Sequence, residues 1–512
     1  MSGSKGVARA ALVVMLMTFL SRILGLARDA AIAAAFGASG VTDAYMVAYT
    51  LPYALQAVSG VAFVIVVLPV VTSYLVAGRQ EEGWQVASQI GNGIALLLTL
   101  AAVAGIGLAP WLVKAVAPGF SVAETELTIR LTRIMFPSIV FMGCGMLVSG
   151  MLNAGRRFSV AAFAPGVVNI VIILSVFLVA SIEGVAWGTL AGFAAFLLVQ
   201  LPDLKKVGFR YFPGLKLGHP AVRQALANLG PVLLAVSVTQ VYLIMNRFFA
   251  SFLLAGSITA LDLANRTMNL PGIFVSSVYT AIFPALAERA VRGDREGLAQ
   301  TLAGGLRMVI FLIVPASLGM MILKDPLISV LYQRGAFNSA AAGLTSGALL
   351  YFAVGYPGLA ANTVLLRAYY ALGSAALPAV LGLISLGLNL VLSLLLLPRM
   401  GHEGLALANS LATLGYSVLL VAVLKKRLPE ISLVGLLSFT AKAGGAALVM
   451  GIGGLQFYRW LTFHLDGGST IDLLGIIALT VGLCLFIYLA GAKLLGIQEG
   501  GRILQLISRK RV

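Results

Sequence analysis

The residues best suited to chemistry are arginines and aspartates that lie inside long apolar stretches of the chain. Arg22, Gly25 and Asp29 are spaced as neighbours on one helical face, and Arg28 lies about a quarter turn away. A charged side chain in the middle of a bilayer costs at least about 2.5 kcal/mol, so such residues face a water-filled cavity or a partner. Their spacing predicts a polar site in an apolar environment.

A second group repeats this pattern later in the chain. Asp262, Arg266 and Asn269 again share a helical face. Arginine outnumbers aspartate in the two groups, and a guanidinium group binds phosphate through two parallel hydrogen bonds. We therefore expect a phosphate-bearing substrate rather than a cationic drug. The candidate substrate-binding residues are Arg22, Arg28, Asp29, Asp43, Gln56, Arg247, Asp262 and Arg266.

A structural role for the same charges is the alternative. Arg22, Asp29 and Asp262 could form buried pairs that only hold helices together. Arg28 could extend its side chain to the membrane surface. Similar polar faces at matching places in both halves of the chain favour the binding site.

The elements that must position these residues are membrane helices. The chain has 512 residues, of which 60% are hydrophobic and only 10% charged, whereas soluble domains have about 25% charged residues. This composition excludes an ordinary cytosolic enzyme or secreted domain and predicts an all-α polytopic membrane protein. With about 20 apolar residues per crossing, we expect about fourteen transmembrane helices, at 10–36, 43–75, 88–117, 127–153, 160–182, 185–202, 224–253, 262–287, 302–324, 342–372, 376–397, 404–424, 436–460 and 470–495.

Membrane topology accounts for most of the net charge of +17. Lys and Arg concentrate in alternate loops, so the positive-inside rule places these loops and both termini in the cytoplasm. Nucleic-acid binding is not expected. The basic loops hold Arg79, Arg156, Arg157, Lys205, Lys206, Arg289, Arg292, Arg295, Lys425, Lys426 and Arg427, and the opposite loops hold Lys114, Lys324, Arg334, Arg399 and Arg459.

The residue types that catalysis and metal binding require are scarce. Cys144 and Cys484 lie in apolar stretches, so neither a disulfide framework nor a metal site is expected. Three histidines and no Asp-x-Asp motif disfavour a membrane glycosyltransferase or polymerase. We expect a transporter that is not an enzyme and has no cofactor. A scaffold without transport activity stays open, although its intramembrane charges would have no use.

The chain contains an internal repeat. A shift of 219 residues pairs Arg28 with Arg247 and Asp43 with Asp262. Each repeat holds six predicted helices, an even number, so the repeats are parallel, as in several transporter folds. Further pairs, at a shift of 219 or 220, are Gly37 with Gly256, Pro137 with Pro357 and Asn169 with Asn389.

The repeat predicts an N-terminal lobe at 1–215, a C-terminal lobe at 220–430 and two further helices at 431–512. Residues 208–220, rich in Gly, Pro and basic residues, are typical of a linker. Substrate in such folds lies between the lobes near the middle of the membrane. Prolines could bend the predicted helices; these are Pro52, Pro137, Pro165, Pro271, Pro284, Pro315 and Pro357.

Several motifs resemble the MurJ/MviN family of lipid II flippases, part of the multidrug/oligosaccharidyl-lipid/polysaccharide exporter superfamily. The most specific motif is SRILGLARD, which runs from Ser21 to Asp29. The resemblance covers nearly all of 10–430. Its other motifs are Phe36-Gly37, Thr42-Asp43-Ala44-Tyr45, Asn153, Arg157-Phe158, Ala162-Phe163-Ala164-Pro165, Asn169 and Gly335-Ala336-Phe337.

The resemblance implies two helical lobes, a lipid-tail groove at 431–512, and export of the undecaprenyl-pyrophosphate-linked peptidoglycan precursor. The chain departs from the family at Gln56, where Arg is typical, and at 59–62, which reads Ser-Gly-Val-Ala in place of Gly-Glu-Gly-Ala. The family uses several positions in or beside its cavity that correspond to Arg22, Arg28, Asp29, Asp43 and Arg266.

We therefore expect a monomeric, multi-pass protein of the bacterial cytoplasmic (inner) membrane that moves lipid II by alternating access. Arg22, Arg28 and Arg266 would hold the pyrophosphate, and Asp29 would orient an arginine and weaken its hold in one state. Membrane potential or an ion gradient would drive transport. The expected partners are the lipid-linked saccharide, membrane lipid and cell-wall synthesis proteins. Another polyprenyl-linked glycan and drug/cation antiport are the alternative cargoes.

Overall fold

Long apolar segments fold as helices because a helix satisfies its backbone hydrogen bonds within one segment, as a bilayer requires. The computed structural model describes residues 2–155, 157–214, 240–374, 376–465 and 469–500, with side chains described from residue 13 except at 56–71, 75 and 76. All regular structure in these ranges is helical. The predicted all-α fold is confirmed.

The helices of the first half are α1 (Ser2–Phe36), α2 (Gly40–Val76), α3 (Gln80–Val116), α4 (Val122–Met135), α5 (Ser138–Ala154), α6 (Phe158–Val179), α7 (Ile182–Leu198) and α8 (Leu201–Lys206). A helical segment described at 240–250 is α9. The remaining helices are α10 (Ser257–Met268), α11 (Gly272–Val291), α12 (Arg295–Ile322), α13 (Lys324–Tyr332), α14 (Ser339–Ala371), α15 (Ala376–Arg427), α16 (Leu433–His464) and α17 (Thr470–Leu494).

Nine helical stretches in the described ranges are long and apolar enough to cross a membrane, and α10 with α11, bent by 50°, forms a tenth candidate. α15 has 52 residues, or about 78 Å at 1.5 Å per residue. Because a bilayer core is about 30 Å thick, α15 has the length of two crossings, and it breaks at Gly401. The total of about fourteen crossings stays a prediction.

The chain folds as two compact units. The first unit comprises Met1–Thr259 and Arg334–Phe337, and the second comprises Ala260–Gln333 and Asn338–Val512. The lobes at 1–215 and 220–430 stay a prediction drawn from the repeat.

In the first unit, α1 packs on α6, α2 packs on α4 and α5, and α6 packs on α7. The hydroxyls of Tyr45 on α2 and Thr189 on α7 are hydrogen bonded at 2.9 Å. The backbone N–H of Ala336 donates to the carbonyl of Ala34 near the end of α1, at 2.8 Å. This bond explains why the short segment 334–337 belongs to the first unit.

The start of the predicted linker is fixed on α3. Asn92 Nδ2 donates to the carbonyl of Gly214 at 3.0 Å, and the backbone N–H of Phe212 donates to Ser88 Oγ at 3.2 Å. The rest of the predicted linker, 215–220, lies outside the described residues.

In the second unit, α14 packs on α12 and α15, and α16 packs on α12 and α17. Tyrosine hydroxyls join two of these pairs. Tyr369 on α14 donates to the carbonyl of Leu420 on α15 at 2.8 Å. Tyr488 on α17 donates to the carbonyl of Phe311 on α12 at 2.9 Å.

Two of the prolines expected to bend helices lie at breaks. Pro137 lies between α4 and α5, and Pro271 lies between α10 and α11. A proline alone therefore does not end a helix, because the others lie within continuous helices: Pro52, Pro165, Pro284, Pro315 and Pro357.

The repeat recurs in the backbone geometry of turns. Gly37 and Gly256, paired by the shift of 219, have φ values of 67° and 92°. Ala180 between α6 and α7 has a φ of 49°, and Gly401, next to its repeat equivalent, has a φ of 55°. Left-handed residues at matched turns support the repeat.

Candidate functional site

The first predicted site residues form an ion pair on α1. Arg28 donates through Nε and Nη2 to Oδ1 of Asp29, at 3.0 Å and 2.7 Å. The side chains are only 13% and 4% exposed. Successive residues of a helix do not face each other, so the long arginine side chain must curl back to reach its neighbour. Asp29 thereby holds one edge of the Arg28 guanidinium.

Arg22 lies about 9 Å earlier along the same helix and is exposed. α6 covers an adjacent face of α1, where Asn169 Nδ2 donates to the carbonyl of Ser21 at 3.3 Å. A Cβ on Gly25 would lie 3.5 Å from the same amide nitrogen. Arg22 is thus an exposed charge on an apolar helix, among the exposed apolar side chains Met15, Leu16, Phe19, Leu20 and Ile23.

Asp43 is buried, and both oxygens of its carboxylate accept hydrogen bonds from residues around the start of α10. Oδ2 accepts from the N–H of Gly256 at 2.7 Å and of Ile258 at 3.4 Å. Oδ1 accepts from the N–H of Thr259 at 2.8 Å and from its hydroxyl at 2.6 Å. These donors lie at the start of α10, where backbone N–H groups have no partner within the helix. Asp43, on α2, therefore caps α10 from a distant part of the sequence.

Arg247 is also buried within the first unit, at 6% exposure. Its Nε donates to Thr50 Oγ1 on α2 at 3.3 Å. The Thr50 hydroxyl in turn donates to the carbonyl of Met46 at 2.7 Å. Arg247 therefore joins α9 to α2.

The other predicted residues divide between the second unit and an undescribed stretch. Asp262 and Arg266 lie one turn apart on α10 in the second unit, and both are half-buried. Gln56 belongs to α2, but its side chain lies outside the described residues, as do those of 59–62.

Arg367, inside α14, is a functional candidate that the prediction did not include. Its guanidinium carbon lies 4.9 Å from the ring centre of Tyr279 and 5.5 Å from that of Phe283, both on α11. Stacking of this kind stabilises a guanidinium where water is scarce. The i, i+4 aromatic pair on α11 was the available sequence signal, but nothing in the sequence links it to Arg367.

Comparison with known proteins identifies the family to which the chain belongs. The family model described as Lipid II flippase MurJ matches residues 32–469. The chain belongs to the MurJ family. It is therefore a multi-pass inner-membrane protein, which agrees with its apolar helices.

Curated relatives in the MurJ family match along almost the whole chain. The lipid II flippase MurJ of Burkholderia cenocepacia is 33% identical over 472 residues, covering 90% of this chain and 91% of that protein. The probable lipid II flippase MurJ of Vibrio cholerae is 31% identical over 517 residues and covers 97% of each chain.

Solved structures share the fold of this MurJ family member. A lipid II flippase MurJ in an inward closed conformation has a TM-score of 0.79 at 24% identity and covers 94% of this chain and 98% of that one. An inward-facing multidrug resistance MATE transporter of the MOP superfamily has a TM-score of 0.67 at 14% identity. The match covers 82% of this chain and 98% of the transporter chain. At such identities, the likeness concerns the fold alone.

Within this MurJ family member, the structure joins Arg28 to Asp29 and places Asp43 and Arg247 in helix-to-helix contacts of the first unit. It leaves Arg22 exposed on the same helix as the ion pair. The described residues contain no group of three or more His, Cys, Asp or Glu side chains that could hold a metal ion.

Proposed function

We propose that the chain is a flippase that moves undecaprenyl-pyrophosphate-linked peptidoglycan precursor, lipid II, from the inner to the outer leaflet by alternating access. The observation that carries this proposal is the charge arrangement on α1 of a MurJ family chain. An exposed Arg22 and the Arg28–Asp29 pair lie on one apolar helix, where charge without a function would be costly. The substrate is inferred from the relatives, which are lipid II flippases or probable lipid II flippases.

The Arg28–Asp29 pair suits reversible binding of a pyrophosphate. Asp29 occupies the Nε and Nη2 edge of Arg28, and a phosphate group offers acceptor oxygens to the same edge. Binding would exchange a carboxylate acceptor for a phosphate acceptor, so Arg28 is never buried without a counter-charge. Return of Asp29 to this edge would favour release. Arg22 would supply a second guanidinium, and Arg266 on α10 a third.

The remaining features of the proposal follow from the charge pattern. Both termini lie in the cytoplasm, as the basic loops predict. Transport changes no covalent bond, so the protein is not an enzyme. A monomer works without a cofactor, driven by the membrane potential or an ion gradient, and cell-wall synthesis proteins are candidate partners.

Complementation tests this proposal. The host's own lipid II flippase is depleted, this gene is supplied in trans, and lipid II in the outer leaflet is scored with an externally added lipid II hydrolase. We expect rescue by the natural sequence and loss of rescue by Arg28→Ala at an unchanged protein level. The control is Arg79→Ala, which removes an arginine from the exposed turn before α3, where it pairs with Glu82.

The outcomes separate the candidates. Rescue by Arg28→Ala would overturn the role of Arg28. If the natural sequence failed to rescue although the protein was correctly inserted, another polyprenyl-linked glycan would replace lipid II as the proposed substrate. The departures from the family at Gln56 and 59–62 favour that second candidate. Drug antiport is disfavoured because the α1 site is rich in arginine.

A further inference from the structure

A cavity of about 570 Å³, lined by both charged and apolar residues, lies within the second unit, and none of the residues predicted to bind substrate lines it. Its walls come from α12, the turn between α15 and α16, α16 itself and the residues that follow α17. The charged side chains in these walls are Arg307, Glu430, Lys442 and Glu499.

An aromatic contact and a turn frame the cavity. One turn beyond Arg307, the ring of Phe311 packs 5.1 Å from that of Tyr488, and the Tyr488 hydroxyl binds the Phe311 carbonyl. Gly496, with a φ of 70°, ends α17 in a turn in which the Ile497 N–H donates to the carbonyl of Ala492 at 2.9 Å. This turn fixes the residues after α17 as a wall of the cavity.

The charged side chains around this cavity favour an anionic ligand. Among the described residues, buried Arg307 Nε has no hydrogen-bond partner, and the guanidinium carbon lies 5.9 Å from the ring centre of Phe439. Glu430 is already paired with Arg295, Nε to Oε1 at 2.9 Å. The two cationic side chains, Arg307 and Lys442, therefore outnumber the one remaining carboxylate, that of Glu499.

The depth and surroundings of the cavity indicate a lipid. Arg307 is the last charged residue before the apolar run 308–322 of α12, so it lies where the apolar part of a candidate membrane span begins. Val434 and Leu437, next to cavity residues on α16, are 80% and 68% exposed, and Leu494 at the end of α17 is 87% exposed. An amphipathic ligand matches a cavity that contains charged side chains and is bordered by exposed apolar ones.

We propose that this cavity binds the head group of a membrane phospholipid, with its phosphate on Arg307 and Lys442 and its acyl chains over the apolar border. Basic pockets between membrane helices on the cytoplasmic side commonly bind anionic head groups, and the basic loops predict that this end of α12 is cytoplasmic. None of the residues that line the cavity is among those proposed to bind the pyrophosphate, so this inference does not rest on the proposed function.

A filled cavity tests the proposal without removing charge. A Cβ on Gly304, which lines the cavity, meets no atom within 4 Å, so Gly304→Leu should fold and occupy the space. Gly319→Leu is the matched control, since Gly319 lies on the same helix, is equally open and is outside the cavity lining. The companion charge variant is Arg307→Gln, with Arg459→Gln at the far end of α16 as its control.

Native mass spectrometry of the purified full chain, titrated with phosphatidylglycerol, gives the dissociation constant of the first bound lipid. Loss of a charge-assisted hydrogen bond of about 1.5–3 kcal/mol corresponds to about tenfold or more. We expect Gly304→Leu and Arg307→Gln each to weaken binding by at least about tenfold, and both controls to bind as the natural sequence does.

Two results would overturn the proposal. One is unchanged phosphatidylglycerol binding in both Gly304→Leu and Arg307→Gln, with thermal midpoints confirming that the variants are folded. The other is displacement of the lipid by soluble glycerol phosphate at equal concentration, because the site would then take a free phosphate rather than a lipid. Neither readout measures flipping, so this inference and the proposed function fail separately.

Discussion

Both carboxylate oxygens of Asp43 accept hydrogen bonds from residues 256–259 at the start of α10. Asp43→Asn would place an amide NH₂ against those N–H donors, and either orientation of the amide leaves a donor without an acceptor. A buried group that loses its partner costs about 1–3 kcal/mol. We therefore expect the ligand-free variant to have a lower thermal unfolding midpoint in detergent.

Asp325→Asn is the control for this measurement, because the Asp325 side chain is 64% exposed and pairs with Lys324. Such a pair contributes at most about 1 kcal/mol. If Asp43→Asn unfolds at the same temperature as the natural sequence, Asp43 does not stabilise α10 and its role as a substrate contact regains support.

Gly256 combines a left-handed backbone with a close approach. Its φ is 92°, and a Cβ there would lie 2.3 Å from the Ala38 carbonyl oxygen. Gly293 has a φ of 69° but an added Cβ would meet nothing within 4 Å. Gly293→Ala should therefore cost only the strain of a left-handed residue, about 1–2 kcal/mol, and Gly256→Ala should cost clearly more. Equal thermal midpoints for the two variants would contradict the close approach.

At the scale of elements, Ala180 and Gly401 lie in turns at nearly equivalent places in the repeat, but their backbone dihedral angles differ. Ala180 has a φ of 49° and a ψ of 25°, which an L residue tolerates at moderate cost. Gly401 has a φ of 55° and a ψ of −133°, which a side chain all but forbids. Ala180→Gly should leave the thermal midpoint unchanged or slightly higher, and Gly401→Ala should lower it. A lowered midpoint in Ala180→Gly alone would reverse this assignment.

The sequence predicted many helix limits because apolar runs and membrane helices coincide. The prediction of 470–495 compares with Thr470–Leu494 for α17, and 160–182 with Phe158–Val179 for α6. Breaks were harder. The repeat pairs Pro137 with Pro357, yet Pro137 separates α4 from α5 while α14 continues through Pro357. The packing around a proline, which the sequence does not reveal, decides whether the helix is interrupted there.

The candidate site was predictable in composition but not in contacts. Helical spacing placed Arg22, Arg28 and Asp29 near each other, and the structure adds that Arg28 curls back onto Asp29. The partners of Asp43 lie 213 to 216 residues away. No local pattern signals that capping contact, because a charge inside an apolar stretch looks the same whether it binds substrate or caps a helix.

At the scale of the whole molecule, orientation in the membrane decides which side each loop faces. The basic loops predict that residue 292 lies in the cytoplasm and that residue 464, at the end of α16, lies on the opposite side. Arg292 is 72% exposed and His464 is exposed, so each can carry a single cysteine once Cys144 and Cys484 are replaced by alanine. We expect a membrane-impermeant maleimide to label His464→Cys in spheroplasts and Arg292→Cys only after the membrane is permeabilised.

The same experiment constrains both proposals. The phospholipid cavity between α12 and α16 lies toward the end of α12 that carries Arg295, so cytoplasmic labelling of Arg292→Cys places it in the inner leaflet, where phospholipid phosphates meet the basic loops. Labelling of Arg292→Cys in spheroplasts with a sealed membrane would invert the topology. The cavity would then face the outer leaflet, and the charge bias of the loops would need another cause. Protein levels and growth rescue of the cysteine variants serve as the check that neither substitution disturbs the fold.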